Sequence, residues 1–313
     1  MTLRRVRLAT RGSPLALAQA DIVAGMLATR FVGIEVERVV VHTEGDRRTD
    51  DALDRIGGQG VFVKEIQHAV GDGRADVAVH SAKDLPPIEP PGLAVVAVPV
   101  RADARDALVG STLDALPPGA VVATGSPRRR AQLAHLRPDL VFVGLRGNMG
   151  TRLEHVRSGQ VDVVVVAAAA LDRLGWADRL DERLDTSTCL PQVGQGALAL
   201  ECRVDDRAVR SLLGTLDDQA AHMAVTAERA FLRALGAGCT LPVAAHATVV
   251  RGAGGGAGAG RVRLEGLIAS GDGRVVVRDV LEGGDPERLG AALAALLVDE
   301  QGAAAIEGWE VTG

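Results

Sequence analysis

Residues 7–19, RLATRGSPLALAQ, return in altered form at residues 121–133 as VVATGSPRRRAQL. Each copy reads as a short apolar strand, a Gly-Ser-Pro turn and a helix. A second landmark follows each: GRADVAVHSAKDL at residues 73–85 and GQVDVVVVAAAAL at residues 159–171. In both, Gly-x-x-Asp-Val leads into a run apolar enough to be a strand covered on both faces. The same ordered landmarks in two halves make an internal repeat and predict two α/β lobes of similar build. The second half is shorter because residues 44–59 have no counterpart in it.

Outward from the repeat, strands are expected at residues 6–9, 36–41, 76–79 and 95–98, with helices at 15–27 and 61–70. Short Val-rich runs between helices argue for parallel, doubly wound sheets. Pro86, Pro87, Pro90 and Pro91 break the chain after the first lobe's second landmark, and a hinge is expected near Val100. Two such lobes are expected to face each other across a cleft, where open α/β sheets usually bind ligands. From about Gln219 the pattern changes to a helix (221–235), a Gly-flanked loop with Cys239, several short strands and a last helix (286–297). That is a third, smaller α+β domain. The run GAGGGAGAG (252–260) has the glycine spacing of a dinucleotide fingerprint but lies between two strands, so it reads as a hairpin connection.

Composition narrows the function. The 313 residues are 47% hydrophobic but only 2% aromatic, with no Tyr, so the cores must be built from Val, Leu, Ala and Ile. A net charge of -5 offers no whole-molecule attraction to nucleic acid, and few rings are present on which bases could stack. Three cysteines without a Cys-x-x-Cys pair fit neither a disulfide framework nor a zinc site, and suggest a reducing cytosol. Arg11 interrupts the apolar run after Arg4, Arg5 and Arg7, so no secretory leader is expected. The longest uncharged apolar run, residues 163–171, is too short to span a bilayer. A cytoplasmic protein without nucleic-acid or membrane partners is expected.

Several residues could carry chemistry. Ser13 and Ser126 each sit in a Gly-Ser-Pro turn before a helix, which is either an ordinary N-cap or an anion site. Their recurrence in two lobes favours the anion site. Arg11 precedes the first turn, and Arg128, Arg129 and Arg130 follow the second. At most two of these three can face one ligand, since successive helical residues diverge. Arg146 and Arg152 flank a Gly-containing loop suited to bidentate capture of carboxylate or phosphate, although most of the arginines here must be solvated surface. Lys83 and Asp84 follow the buried strand that ends at Val79. There Asp84 is a proton-transfer group, or else a turn residue before Pro86 or half of a surface ion pair. Cys239 lies among small residues, GAGCTLP (236–242), which leave room for a bulky attached group. Taken alone, a loop thiol is more often inert. Cys202 reads as a core residue, and Cys189 is ambiguous.

Together these pieces resemble the hydroxymethylbilane synthase (porphobilinogen deaminase) family along almost the whole chain. The resemblance rests on LATRGSPLALAQ, GGQGVFVKE, ADVAVHSAKDLP, SPRRRAQL, LRGNMGTRLEH, LPQVGQGALALECR and AERAFLRALGAGC. It implies two periplasmic-binding-protein-like lobes around a cleft plus a small α+β C-terminal domain. The implied boundaries are residues 1–99 with 197–216, residues 100–196, and residues 217–313. It further implies a dipyrromethane cofactor joined to Cys239 by a thioether, and stepwise condensation of four porphobilinogen molecules by a monomer. Asp84, with Lys83, is then the catalytic pair. Ser126, Arg128, Arg129, Arg146, Arg152, Lys83 and Asp84 face the cofactor. Arg11, Ser13, Arg146, Arg152, Arg173 and Gln195 face the substrate, and no metal is implied. Arg130 falls outside the set. Gln59 stands where many members carry Lys, which puts a charge role for that loop position in doubt.

Two other classes of function fit parts of the chain. A non-catalytic solute-binding protein fits the repeat, but not the third domain with Cys239 or the expectation of no secretory leader. A Schiff-base enzyme would use Lys83, but needs it desolvated and unpaired, whereas Asp84 adjoins it. Residues 44–59, rich in Asp, Arg and Gly, are expected to form a mobile cover.

Overall fold

A computed structural model describes residues 5–41, 63–236, 242–250 and 260–306. The expectations for residues 44–59, for Gln59, for Cys239 and for most of the glycine run fall outside the described residues. The chain forms two compact units, Met1–Ala102 with Ala197–His222, and Asp103–Gly196 with Met223–Gly313.

The first unit begins with β1 (Arg5–Arg11), α1 (Pro14–Arg30), β2 (Glu35–Val41), α2 (Lys64–Gly71), β3 (Val77–Ser81) and β4 (Leu93–Ala97). The chain then builds β5 (Asp106–Val109), β6 (Val121–Ala123), α3 (Pro127–Leu136), β7 (Val141–Val143), α4 (Met149–Arg157), β8 (Val163–Ala167), α5 (Ala168–Arg173) and β9 (Glu182–Arg183) in the second unit. It returns to the first with β10 (Leu198–Arg203) and α6 (Arg207–Gly214). The remainder is α7 (Gln219–Ala234), β11 (Val243–Val250), β12 (Arg261–Ala269), β13 (Val276–Gly283) and α8 (Pro286–Ala295).

The repeat in the sequence is a repeat in topology. The sheet of the first unit has the order β2-β1-β3-β10-β4, and the large sheet of the second has β7-β6-β8-β5-β9. In each, three parallel strands meet an antiparallel fourth, β10 or β5. The sheets are therefore mixed rather than wholly parallel, because the fourth strand enters from elsewhere in the chain instead of through a crossover helix. Even the strand joints correspond. Asp76 accepts from the backbone N–H of Arg7 at 2.8 Å, and Asp162 accepts from that of Val121 at 2.6 Å.

Hydrophobic burial holds the sheets. Val163, Val164, Val165 and Val166 of β8 are all fully buried, which accounts for a run without polar alternation. Each such side chain contributes roughly 1.5–3 kcal/mol. The C-terminal sheet is an antiparallel meander, β11-β12-β13, with α7 and α8 packed on it through Phe231, Leu264, Ile268 and Leu293. Gly290 lets α8 approach α7 closely, since a Cβ there would lie 2.5 Å from the Ala227 carbonyl oxygen. Among the described residues no helix is long and apolar enough to cross a membrane, and no cluster of metal-ligating side chains occurs.

Candidate active site

The first unit gathers three of the expected residues around one polar cavity of about 60 Å³. Arg11, Ser13 and Asp84 line it together with Gln19, His80 and Ser81. Arg11 ends β1 and Ser13 caps α1, accepting from the Ala16 N–H at 3.3 Å with Pro14 as the first helical residue. Asp84 closes the short 3-10 turn Ala82–Asp84 that continues β3, and is exposed. The turn is held at its start, where the Ala82 N–H donates to the Ala197 carbonyl at 3.0 Å. Lys83 lies beside Asp84 and is half-buried. Gln19 was not among the residues expected from the sequence. It is buried in α1 and donates to Ser81 Oγ at 2.8 Å.

The second unit places the second Gly-Ser-Pro turn against its arginine loop. Ser126 caps α3, accepting from the Arg129 N–H at 3.4 Å. A Cβ on Gly125 would lie 2.7 Å from the Leu145 carbonyl oxygen, so glycine lets this turn touch the loop that carries Arg146. Arg146 is exposed, and Arg152 is half-buried with Nε donating to the Gly147 carbonyl at 2.9 Å. Arg173, at the end of α5, donates to the Gly196 carbonyl at 2.7 Å. Burial pushes its guanidinium down to about 10, which still leaves it cationic at neutral pH.

Arg128 and Arg129 are buried, whereas Arg130 is exposed. Both buried guanidiniums meet one carboxylate, that of Asp106 on β5, which is 0% exposed. Arg128 Nη1 donates to Asp106 Oδ2 at 2.6 Å, and Arg129 Nε to Oδ1 at 2.9 Å. Burial pushes the Asp106 carboxyl up, but the charges of Arg128 and Arg129 outweigh it and hold its pKa well below the ordinary carboxylate range. Gln195 completes the cluster: its amide donates to Asp106 Oδ1 at 2.9 Å and to the Ala104 carbonyl at 2.7 Å. Asp106 was not anticipated from the sequence. The available signal was a charge heading the otherwise apolar strand DALV, since a carboxylate placed there must be paired.

The cluster holds two positive side chains against one negative one. Arg128 Nη1 also donates to the Leu190 carbonyl at 2.7 Å, but Nε and Nη2 are buried and meet no acceptor among the described residues. Buried donors of this kind are costly unless satisfied, and they suit a carboxylate-bearing group. Arg128 therefore fits an acidic cofactor. Cys189 lies beside it, its thiol donating to Asp106 at 3.3 Å. Burial pushes the Cys189 thiol up to about 12 and the Cys202 thiol up to about 11. Both should stay protonated and inert at neutral pH. Alkylation of the native protein with iodoacetamide should label neither, and unfolding in denaturant should expose both; labelling of either in the folded state would contradict this burial.

A repeated α/β scaffold carrying an exposed carboxylate in one lobe and excess buried arginine charge in the other suits an enzyme that handles acidic small molecules. Residues 6–211 match the family described as "Porphobilinogen deaminase, dipyromethane cofactor binding domain", and residues 222–299 match "Porphobilinogen deaminase, C-terminal domain". The chain is 47% identical over 304 residues to the porphobilinogen deaminase of Roseiflexus sp. (strain RS-1), covering 96% of this chain and 97% of that one. It is 44% identical over 308 residues to that of Geobacillus kaustophilus (strain HTA426), covering 97% of each. Among solved structures, the BenM effector binding domain with its effector benzoate is similar with a TM-score of 0.41 at 13% identity, covering 69% of this chain and 91% of that one. The chain belongs to the porphobilinogen deaminase family.

Proposed function

We propose that Asp84 is the reacting carboxylate of this enzyme, and that Arg11 and Ser13 grip the acidic side chains of its substrate. The reaction is the family's: condensation of porphobilinogen, head to tail and with loss of ammonia, into a linear tetrapyrrole that water releases. The observation that carries the assignment is the polar cavity of the first lobe, which unites Arg11, Ser13 and Asp84. Asp84 keeps the departing nitrogen protonated, and as a carboxylate it then stabilises the positive charge left on the substrate's methylene and ring. That interaction strengthens as the bond breaks, so it lowers the barrier rather than merely binding substrate. Lys83, next to Asp84, adds positive charge for a substrate or cofactor carboxylate.

Cys239 bears the dipyrromethane in this reading, and Ser126, Arg128, Arg129, Arg146 and Arg152 neutralise its acidic side chains. When bound, the dipyrromethane supplies the pyrrole carbon from which the chain grows. The two spare donors of Arg128 support its place in this set. Arg173 faces substrate. Gln195 acts by holding Asp106 and Arg129, because its amide hydrogens are taken up by Asp106 and Ala104. The enzyme works as a cytoplasmic monomer.

Intact mass tests the attachment. Purified protein should exceed its polypeptide mass by two pyrrole units, and Cys239→Ser should lack that mass. Finding the adduct on Cys189 or Cys202 would move the cofactor elsewhere.

A further inference from the structure

The first lobe buries a carboxylate and an imidazole where the second buries two valines. The side chains of Glu201 on β10 and His80 on β3 are 0% and 2% exposed, and His80 Nε2 lies 3.0 Å from Glu201 Oε2. The other carboxylate oxygen accepts from Gln67 Nε2 on α2 at 3.0 Å. The two sheets share a register. His80 pairs with Ala199 and Glu201 with Ala78, as Val166 pairs with Ala107 and Val109 with Val164. His80 thus corresponds to Val166 and Glu201 to Val109. Both valines sit in an apolar cluster.

The architecture therefore does not need a polar pair at this place. Burying a carboxylate carries a large desolvation cost, and replacing a buried polar pair with well-packed apolar residues is often neutral or stabilising. What sets the first lobe apart is the chain that follows the strand: Lys83 and Asp84, where the second lobe has Ala169 and Ala170.

We propose that His80 and Glu201 are positioning residues for Asp84. Through Glu201 they clamp β3 to β10 and to α2, so that the 3-10 turn presents the Asp84 carboxyl at one fixed place. This rests on Asp84 being the reacting carboxylate. The connection is short. His80 itself lines the cavity that Asp84 enters, and the turn begins two residues later with the Ala82 bond to Ala197 on the same neighbouring segment. Gln67 ties in α2, whose Ile66 lines the same cavity. Loosening the clamp lets the turn shift against β10, and a misplacement of about 1 Å at a reacting group can cost on the order of 100-fold in rate.

The second lobe supplies the test. The double variant His80→Val/Glu201→Val copies its valine pair. It should fold with a melting temperature equal to or above wild type and carry its cofactor by intact mass. Its single-turnover rate should fall about 10–100-fold, with KM for porphobilinogen within about twofold. Glu201→Gln can keep both hydrogen bonds if the Gln67 amide turns over, and should restore the rate to within about fivefold of wild type. Asp84→Asn is measured in the same series. A double variant at full rate beside an inactive Asp84→Asn overturns the positioning role alone. A double variant that melts lower or lacks cofactor also overturns it, because the pair would then serve the fold. An active Asp84→Asn removes the underlying assignment of Asp84, and this proposal with it.

Discussion

Asp84→Asn should yield a folded, cofactor-loaded protein that turns over about 10²–10⁴-fold more slowly than wild type, the range for loss of a positioned acid–base group. The side chain is exposed at the end of a 3-10 turn, so its exchange for a near-isostere leaves the core untouched. Substrate affinity should change little, because the carboxylate acts on charge that develops only as the amine departs. Asp84→Glu restores a carboxylate slightly displaced and should recover a measurable part of the rate. Arg11→Ala should differ in kind: the grip on a substrate carboxylate weakens, and KM rises more than kcat falls. Single-turnover product formation on mass-verified holoenzyme separates the cases. Turnover by Asp84→Asn within a few-fold of wild type would make this carboxylate structural.

Asp106→Ala should be the most destabilising change in the second lobe. It leaves the buried Arg128 and Arg129 without their shared counter-charge, and breaking a buried pair in this way costs about 3–5 kcal/mol. The loss should appear as a lower midpoint of urea unfolding at neutral pH. The pH dependence follows from the depressed pKa of Asp106. A carboxylate held below its ordinary range contributes stability that is present above that ordinary range. That contribution is lost as pH falls through the lower folded-state value. Wild type should therefore lose stability on acidification below about pH 4, and Asp106→Ala should lack that component of the loss. If the variant unfolds at the wild-type midpoint, the two guanidiniums have found other partners and Asp106 is not their anchor.

The repeat, the strand and helix types, and the exposed or loop-borne residues were legible in the sequence because each is written locally. Alternation of Val-rich runs with helical spacing follows from side-chain periodicity alone, and Ser-Pro before a helix announces its own cap. The turn bearing Asp84 is likewise announced by the buried strand before it. That Arg128, Arg129 and Arg130 cannot all face one way also follows from helical geometry, and in the structure Arg130 is the exposed one. The helix expected at 61–70 begins at Lys64 among the described residues, and the last helix, expected to reach Leu297, gives way after Ala295 to a π-helical turn, Leu296–Glu300. End positions of this kind depend on packing more than on propensity.

Strand direction and charge pairing were decided only by the tertiary structure. No local signal tells that β10 and β5 run against their neighbours, because direction depends on where the chain returns after more than a hundred residues or a change of unit. The partners of buried charges are equally non-local. Asp106 is separated by 22 residues from Arg128 and by 89 from Gln195, and Glu201 by 121 from His80. Asp106, His80 and Glu201 could each be noticed in the sequence as a polar interruption of an apolar strand. Which opposite group would offset its desolvation is a fact of sheet register, and register exists only once the strands have met.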